Sequence, residues 1–128
     1  MIETNTEWGI EWEAAAALLA SLVDQASRQD QVCSRSLADG FELLAYPIAG
    51  QGQVLVGLGL PATLAGGIDS GALLRRRGAR MEECGDWLPA RLEDGSLYLL
   101  RRWPAAAWDG WPGGAAPALR HARELFDE

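Results

Sequence analysis

Hydrophobic positions near the start of the chain follow the spacing of one helix face. Apolar residues recur at intervals of three or four from Trp8 to Ala26, with acidic residues between them. This pattern is typical of an amphipathic helix. Thr4 and Glu7 have the spacing of a capping box, so the sequence predicts a helix of about 22 residues that begins just after Thr4.

Alternating apolar and polar residues predict three strands after this helix. Their expected ranges are 31–38, 41–48 and 53–60. Asp39-Gly40 has the composition of a hairpin turn, and the glycines at 50 and 52 mark a second turn. The third strand is apolar on both faces, which predicts a central strand covered on both sides.

The stretch from Leu43 to Ile68 carries no charge, so a membrane span has to be considered. Pro47, Pro61 and the glycines between the strands interrupt it, and two buried strands are therefore favoured over a spanning helix. The first residues lack the basic and apolar regions of a signal peptide. We expect no membrane association and a cytoplasmic location.

The second half of the chain predicts a helix, a hairpin and a closing helix. Glycines weaken the helical pattern between 62 and 84, so we expect one broken or late-starting helix there, with Asp69 or Ser70 as a possible cap. Residues 88–93 and 96–103 are expected to pair across Asp94-Gly95. A last helix is predicted from Pro117. The element order is α-β-β-β-α-β-β-α, and the fold class is α+β.

Composition agrees with a single folded domain over residues 1–128. The chain has a mass of 13.8 kDa and 48% hydrophobic residues, enough for a core without disulfide or metal staples. The net charge of −7 argues against nucleic acid as a partner and favours basic partner segments. Residues 1–70 carry all of this imbalance, since residues 71–128 hold nine acids and nine arginines. The two cysteines lack the spacing of a disulfide framework or a zinc site.

Motifs that carry chemistry are weak. The segment from Val54 to Ala62 imitates a glycine-rich dinucleotide turn around Gly57-x-Gly59, but a hairpin rather than a βαβ unit precedes it. Close helix packing against glycine is the favoured explanation, with a small nucleotide-binding protein as the alternative. His121 is predicted on a helix surface, and the arginines at 75–77 and 80 as a solvated or intermolecular salt-bridge face. We therefore predict no enzyme activity, catalytic residue, metal or cofactor.

The six tryptophans are the most informative side chains. Core packing is expected for Trp87 and Trp103, which flank the predicted hairpin. Trp108 and Trp111 lie among prolines and glycines, where burial is difficult. Because tryptophan is enriched at interface hot spots, Trp8, Trp108 and Trp111 are candidates for a partner surface.

Several segments together resemble the class I type III secretion chaperones of bacteria. They are the amphipathic first helix, the first hairpin over 32–44, the strand over 54–59, the Leu73-Leu74 helix and the final hairpin over 92–104. The resemblance covers nearly the whole chain and implies a secretion-chaperone-like domain in a homodimer, with a heterodimer as an alternative. It implies a virulence-associated, non-enzymatic chaperone that binds the N-terminal part of a secreted effector and keeps it soluble and export-competent. A chaperone-like regulator that binds a co-chaperone or a transcription activator is the alternative within this resemblance.

The resemblance also implies two sets of contact residues. The client-binding candidates are Trp8, Trp12, Leu19, Phe41, Leu43 and Tyr46. The dimer-interface candidates are Leu73, Leu74, Trp87, Leu97 and Leu99. An extended client bound by strand addition and apolar grooves needs no catalytic group, which agrees with the absence of a recognisable catalytic motif.

Overall fold

The computed structural model describes residues 6–7, 10–48, 53–103 and 114–127, which form an α+β fold. Its strands are β1 (Thr6–Glu7), β2 (Ile10–Glu11), β3 (Cys33–Ser36), β4 (Glu42–Ile48), β5 (Gln53–Leu60), β6 (Leu88–Arg91) and β7 (Leu97–Arg102). Its helices are α1 (Trp12–Gln29), α2 (Ala62–Ala65), α3 (Ser70–Ala79), α4 (Met81–Cys84) and α5 (Ala115–Leu125). The predicted order of helices and strands is confirmed, with a two-residue strand pair added before α1 and the middle helix divided into three.

The first helix starts later than the sequence predicts. Glu7 lies in β1, which pairs with β2, so it does not belong to a capping box. The helix is instead capped by Glu11, whose carboxylate accepts a hydrogen bond from the Ala14 N–H at 2.6 Å. A local capping signal at Thr4 and Glu7 is therefore overridden by strand pairing, and α1 has 18 residues rather than about 22.

Five antiparallel strands form the main sheet in the order β3-β4-β5-β7-β6. The three predicted strands before α2 and the predicted hairpin after α4 are confirmed, although β3 is shorter than expected. β5 lies at the centre, where it pairs with β4 on one side and β7 on the other. The stretch considered as a membrane span forms β4, β5 and the short α2. No helix in the described part of the chain has the length and apolarity that a membrane crossing requires.

The predicted break in the middle helix is confirmed. Asp69 caps α3, since its carboxylate accepts hydrogen bonds from the Gly71 and Ala72 N–H groups at 2.9 and 3.3 Å. This is one of the two caps that the sequence offers. The closing helix α5 is also present, and it begins at Ala115, two residues before the predicted start at Pro117.

All the helices contribute to one core on a single side of the sheet. The strand residues that face this core are Leu43, Ala45, Val54, Val56, Leu58, Leu60, Leu97 and Leu99. Arg123 of α5 anchors the helical layer to the β3–β4 turn. Its side chain bonds Asp39 at 3.0 Å and Asp127 at 2.8 Å, and its guanidinium lies 4.2 Å from the centre of the Phe41 ring.

Candidate functional site

The side of the sheet that points away from the helices carries an apolar stripe. We call this side the open face. Its residues, read from strand register, are Ser34, Ser36, Glu42, Leu44, Tyr46, Ile48, Gln53, Leu55, Gly57, Gly59, Leu88, Ala90, Tyr98, Leu100 and Arg102. Tyr46 is 49% exposed and Leu88 is 58% exposed. None of the leucines on this face belongs to the core cluster, so the face offers apolar contact area to another molecule.

The open face deepens into a groove at one end of the sheet. The groove has a volume of about 670 Å³. Its lining residues are Leu55, Asp86, Leu88, Pro89, Ala90, Leu100, Arg101 and Arg102. They come from β5, β7, the edge strand β6 and the residues just before β6, so the groove runs along the border of the sheet. A concave apolar surface with a few polar groups is the usual form of a binding site.

Two glycines of the central strand shape the open face. Leu44, Gly57 and Leu100 lie side by side in register, and a Cβ at Gly57 would come within 2.6 Å of Leu100 Cδ2. The Leu100 side chain therefore lies over Gly57. The sequence predicted close helix packing at these glycines, but the neighbours are strand side chains on the side opposite the helices.

At Gly59 a tyrosine crosses the central strand. Glu42, Gly59 and Tyr98 are in register on adjacent strands, and the Tyr98 hydroxyl donates a hydrogen bond to Glu42 at 2.7 Å. Burial, followed by this hydrogen bond to a carboxylate, raises the pKa of Tyr98. The sequence predicts that β5 is covered on both sides, and Gly57 and Gly59 are indeed buried. The cover on this second side comes from side chains of neighbouring strands, and no helix of the described residues contributes to it.

The position of these glycines also bears on the nucleotide alternative. Gly57 and Gly59 lie inside β5 with partners on both neighbouring strands, and neither is in a turn. The helix that follows, α2, has only four residues. The phosphate-binding geometry of a glycine-rich motif needs a turn that leads into a helix N-terminus, so the geometry behind that alternative is wrong.

The charges at the groove are arranged asymmetrically. Arg101 is mostly buried, lies 5.2 Å from the centre of the Trp87 ring and pairs with Asp86 at 3.2 Å. Burial lowers the pKa of Arg101, and the Asp86 carboxylate opposes this effect. Arg102 is exposed on the open face and forms no ion pair with any of the residues that the structure describes. The groove therefore has a local excess of one positive charge on a chain whose net charge is −7.

Most client-binding candidates lie in the core. Trp12, Leu19, Phe41 and Leu43 are all buried, with Leu19 and Leu43 fully so. They are packed between the helices and the sheet, so their predicted role at the surface is wrong for the folded chain. Tyr46 is exposed as a binding residue needs to be.

The dimer-interface candidates divide in the same way. Leu73, Trp87, Leu97 and Leu99 are buried in the core, and only Leu74 is exposed. The alternation of strands explains this outcome, because Leu97 and Leu99 face the helices while Tyr98 and Leu100 face the other way. The predicted surface role of Leu97 and Leu99 is therefore wrong, because both lie on the side of β7 that the helices cover.

The structure tests the predictions for some of the tryptophans only. Trp87 is fully buried, and Trp103 packs against the core, which confirms the expectation for both. Trp8, Trp108 and Trp111 lie outside the described residues.

The arginine cluster has a structural role that the sequence did not predict. The Arg76 Nε donates to the Leu125 carbonyl at the end of α5 at 2.7 Å. Arg77 donates to the Trp87 and Gly85 carbonyls at 2.6 and 2.7 Å, and Arg80 pairs with Glu83 and Glu124. These bonds join α3 to the elements around it, so the prediction of a solvated or intermolecular face is wrong for these three residues.

The remaining candidate chemistry is sparse. His121 is partly exposed on α5, and its backbone carbonyl lies 3.8 Å from the Cys84 sulfur. Burial raises the pKa of the Cys84 thiol, which disfavours the thiolate form. Within the residues that the structure describes, no three His, Cys, Asp or Glu side chains are grouped so as to hold a metal ion.

Comparisons with family models, with curated proteins and with solved structures found no match to this chain. The groove residues Leu55, Leu88, Leu100 and Arg102 were missed by sequence reasoning. The hairpin register across Asp94-Gly95 places Leu88 opposite Leu100 and was a usable signal for that pair.

Proposed function

We propose that this protein is a type III secretion chaperone, a non-enzymatic carrier that binds the N-terminal part of a secreted effector in the bacterial cytoplasm. The observation that carries the proposal is the open face, an apolar sheet surface with no packed helix among the described residues. An extended client segment buries apolar side chains on such a surface without any reaction. The resemblance of the hairpins and of the element order to this chaperone family supplies the class of client.

The distribution of charge and apolar area agrees with such a carrier. The protein keeps an apolar surface exposed, and its net charge of −7 opposes self-aggregation through that surface. A homodimer belongs to the proposal, with Leu74 on α3 as the remaining exposed candidate for its interface. Its mass in solution measures this directly, since a dimer doubles 13.8 kDa.

The test places a photo-crosslinking amino acid at Tyr46, at Leu88 or at Leu64 in the full chain. Leu64 is the matched control because it is 51% exposed, close to the other two, but follows β5 at the opposite end of the sheet from the groove. The variants are expressed in the native bacterium under secretion conditions, and crosslinked proteins are identified by mass spectrometry.

Crosslinks from positions 46 and 88 to the N-terminal part of a secreted protein, and none from position 64, are the expected result. Crosslinks to a co-chaperone or transcription activator would support the regulatory alternative instead. Crosslinks from the control position alone, or an effector that stays soluble without this chain, would refute the proposal.

A further inference from the structure

We propose that the groove of the open face selects an extended partner segment in which apolar side chains are flanked by a carboxylate. This inference deepens the proposed function and rests on it. It differs from the expectation drawn from net charge, under which the acidic chain favours basic partner segments. The local charge of the groove is opposite in sign to the charge of the whole molecule.

The apolar part of the groove suits an extended chain. Leu88 and Ala90 lie two residues apart on the edge strand, and Leu100 and Leu55 continue the same surface onto β7 and β5. An extended peptide presents every second side chain to one side, at intervals that match those along a strand. Such a segment can place successive apolar side chains against these residues.

The polar part of the groove suits a carboxylate. Arg102 lines the groove, lies opposite Leu55 in the register of β7 and β5, and has no ion-pair partner among the described residues. Arg101 is already engaged by Asp86 and by the Trp87 ring, so Arg102 is the guanidinium that remains to bind a ligand. A guanidinium forms two parallel hydrogen bonds with a carboxylate, which gives a geometric preference as well as a charge preference.

A second copy of this chain fits the groove less well. In a symmetric contact through the groove it would bring the same local positive charge to the interface, and the two copies would also repel each other through their net charges of −7. The favoured occupant is therefore a separate segment in which acidic and apolar residues lie side by side. Self-association through the groove is one of the outcomes that the experiment distinguishes.

The test uses synthetic, fluorescently labelled peptides with leucines alternating with serines. One set carries glutamate after the last leucine or before the first, and the matched set carries glutamine at the same place. Binding to the full chain is followed by fluorescence anisotropy at low and high salt, because a charge-dependent preference weakens as salt screens it. The protein variants are Arg102→Gln, Leu88→Ser and, as a matched control, Arg35→Gln. Arg35 is an exposed arginine of β3 on the opposite edge of the sheet, and it forms no ion pair within the described ranges of the chain.

The glutamate peptide is expected to bind roughly fivefold more tightly than its glutamine counterpart, the size of one exposed charge-assisted contact. Arg102→Gln should remove this preference, Arg35→Gln should keep it, and Leu88→Ser should weaken both peptides. Equal affinities, or a preference that survives in Arg102→Gln, would overturn the inference. If one of these results is obtained but both peptides still bind, and both bind more weakly to Leu88→Ser, the preference for a carboxylate is refuted while the proposed function stands.

Two other outcomes also overturn the inference. One is the absence of peptide binding at concentrations up to about 1 mM. The other is a dimer that dissociates in Leu88→Ser and competes with the peptides, which would assign the groove to a second copy. The crosslinking experiment at Tyr46 and Leu88 decides separately whether a secreted client is bound at all, so the two failures are distinguishable.

Discussion

Replacing Gly59 by alanine should destabilise the fold far more than the same change at Gly57. Both glycines lie in the central strand β5, both point to the open face, and neither has a positive φ. The change therefore adds the same methyl group to the same strand in the same backbone conformation. The difference lies in what the new Cβ would meet.

At Gly59 the obstacle is the backbone of β7. The added Cβ would lie 2.6 Å from Tyr98 Cα and 2.5 Å from Tyr98 Cδ2, and it would also press on the Leu97 carbonyl oxygen. Non-bonded carbon atoms prefer about 3.5–4.0 Å, so β7 would have to move by about 1 Å. Because β5 is paired on both sides, it cannot move away to relieve the clash. The loss in free energy of unfolding should therefore reach the upper part of the range for overpacking, about 3 kcal/mol.

At Gly57 the obstacle is a movable side chain. The added Cβ would meet Leu100 Cδ2 at 2.6 Å, while the nearest backbone atom, the Leu99 carbonyl oxygen, is at 3.4 Å. Leu100 is partly exposed and can change its rotamer. Alanine also restricts the unfolded chain more than glycine, so the net change should stay within about 1 kcal/mol.

Urea denaturation and thermal unfolding, both followed by circular dichroism, compare the stability of each variant with that of the parent. The midpoint of thermal unfolding should fall by about 10 °C for Gly59→Ala and by a few degrees at most for Gly57→Ala. Equal losses of stability in the two variants, or a larger loss of stability for Gly57→Ala, would refute the account of how these glycines shape the open face.

Three further predictions concern charged and titratable groups. Arg123→Met should lower the free energy of unfolding, measured by urea denaturation, by about 3 kcal/mol, because it leaves the largely buried Asp39 carboxylate without its ion-pair partner. A loss of stability no larger than that caused by replacing an exposed arginine would contradict this prediction. Arg77→Ala should lower the free energy of unfolding by about 2 kcal/mol, because it removes hydrogen bonds to two backbone carbonyls. The matched control is Arg75→Ala, at an exposed neighbouring residue, which should change stability by under about 0.5 kcal/mol. Equal effects of the two substitutions would mean that the cluster has no structural role. Because the pKa of Tyr98 is raised, its neutral form stabilises the fold below the ordinary tyrosine pKa of about 10, and this contribution is lost as the pH rises above that value. Tyr98→Phe should therefore flatten the alkaline decline in stability, and an unchanged decline would show that Tyr98 does not cause it.

Local sequence signals determined most of the secondary structure. The apolar spacing of α1, the turn residues Asp39-Gly40 and Asp94-Gly95 and the Asp69 cap act within a few residues of themselves, so their effects can be predicted without knowing the rest of the fold. The start of α1 is the exception, because the pairing of β1 with β2 prevails over the capping signal that includes Glu7. The α+β class followed from the order of these elements.

The candidate site was decided by tertiary structure. A two-residue period shows which residues of a strand share a face, but it does not show which face the helices will cover. Leu99 and Leu100 are chemically identical neighbours, yet one is in the core and the other lines the groove, because α1 and α5 pack on one side only. The groove also needs the pairing of β5 with β7. That pairing brings Arg102 beside Leu55, 47 positions earlier in the chain, through contacts that no local pattern encodes.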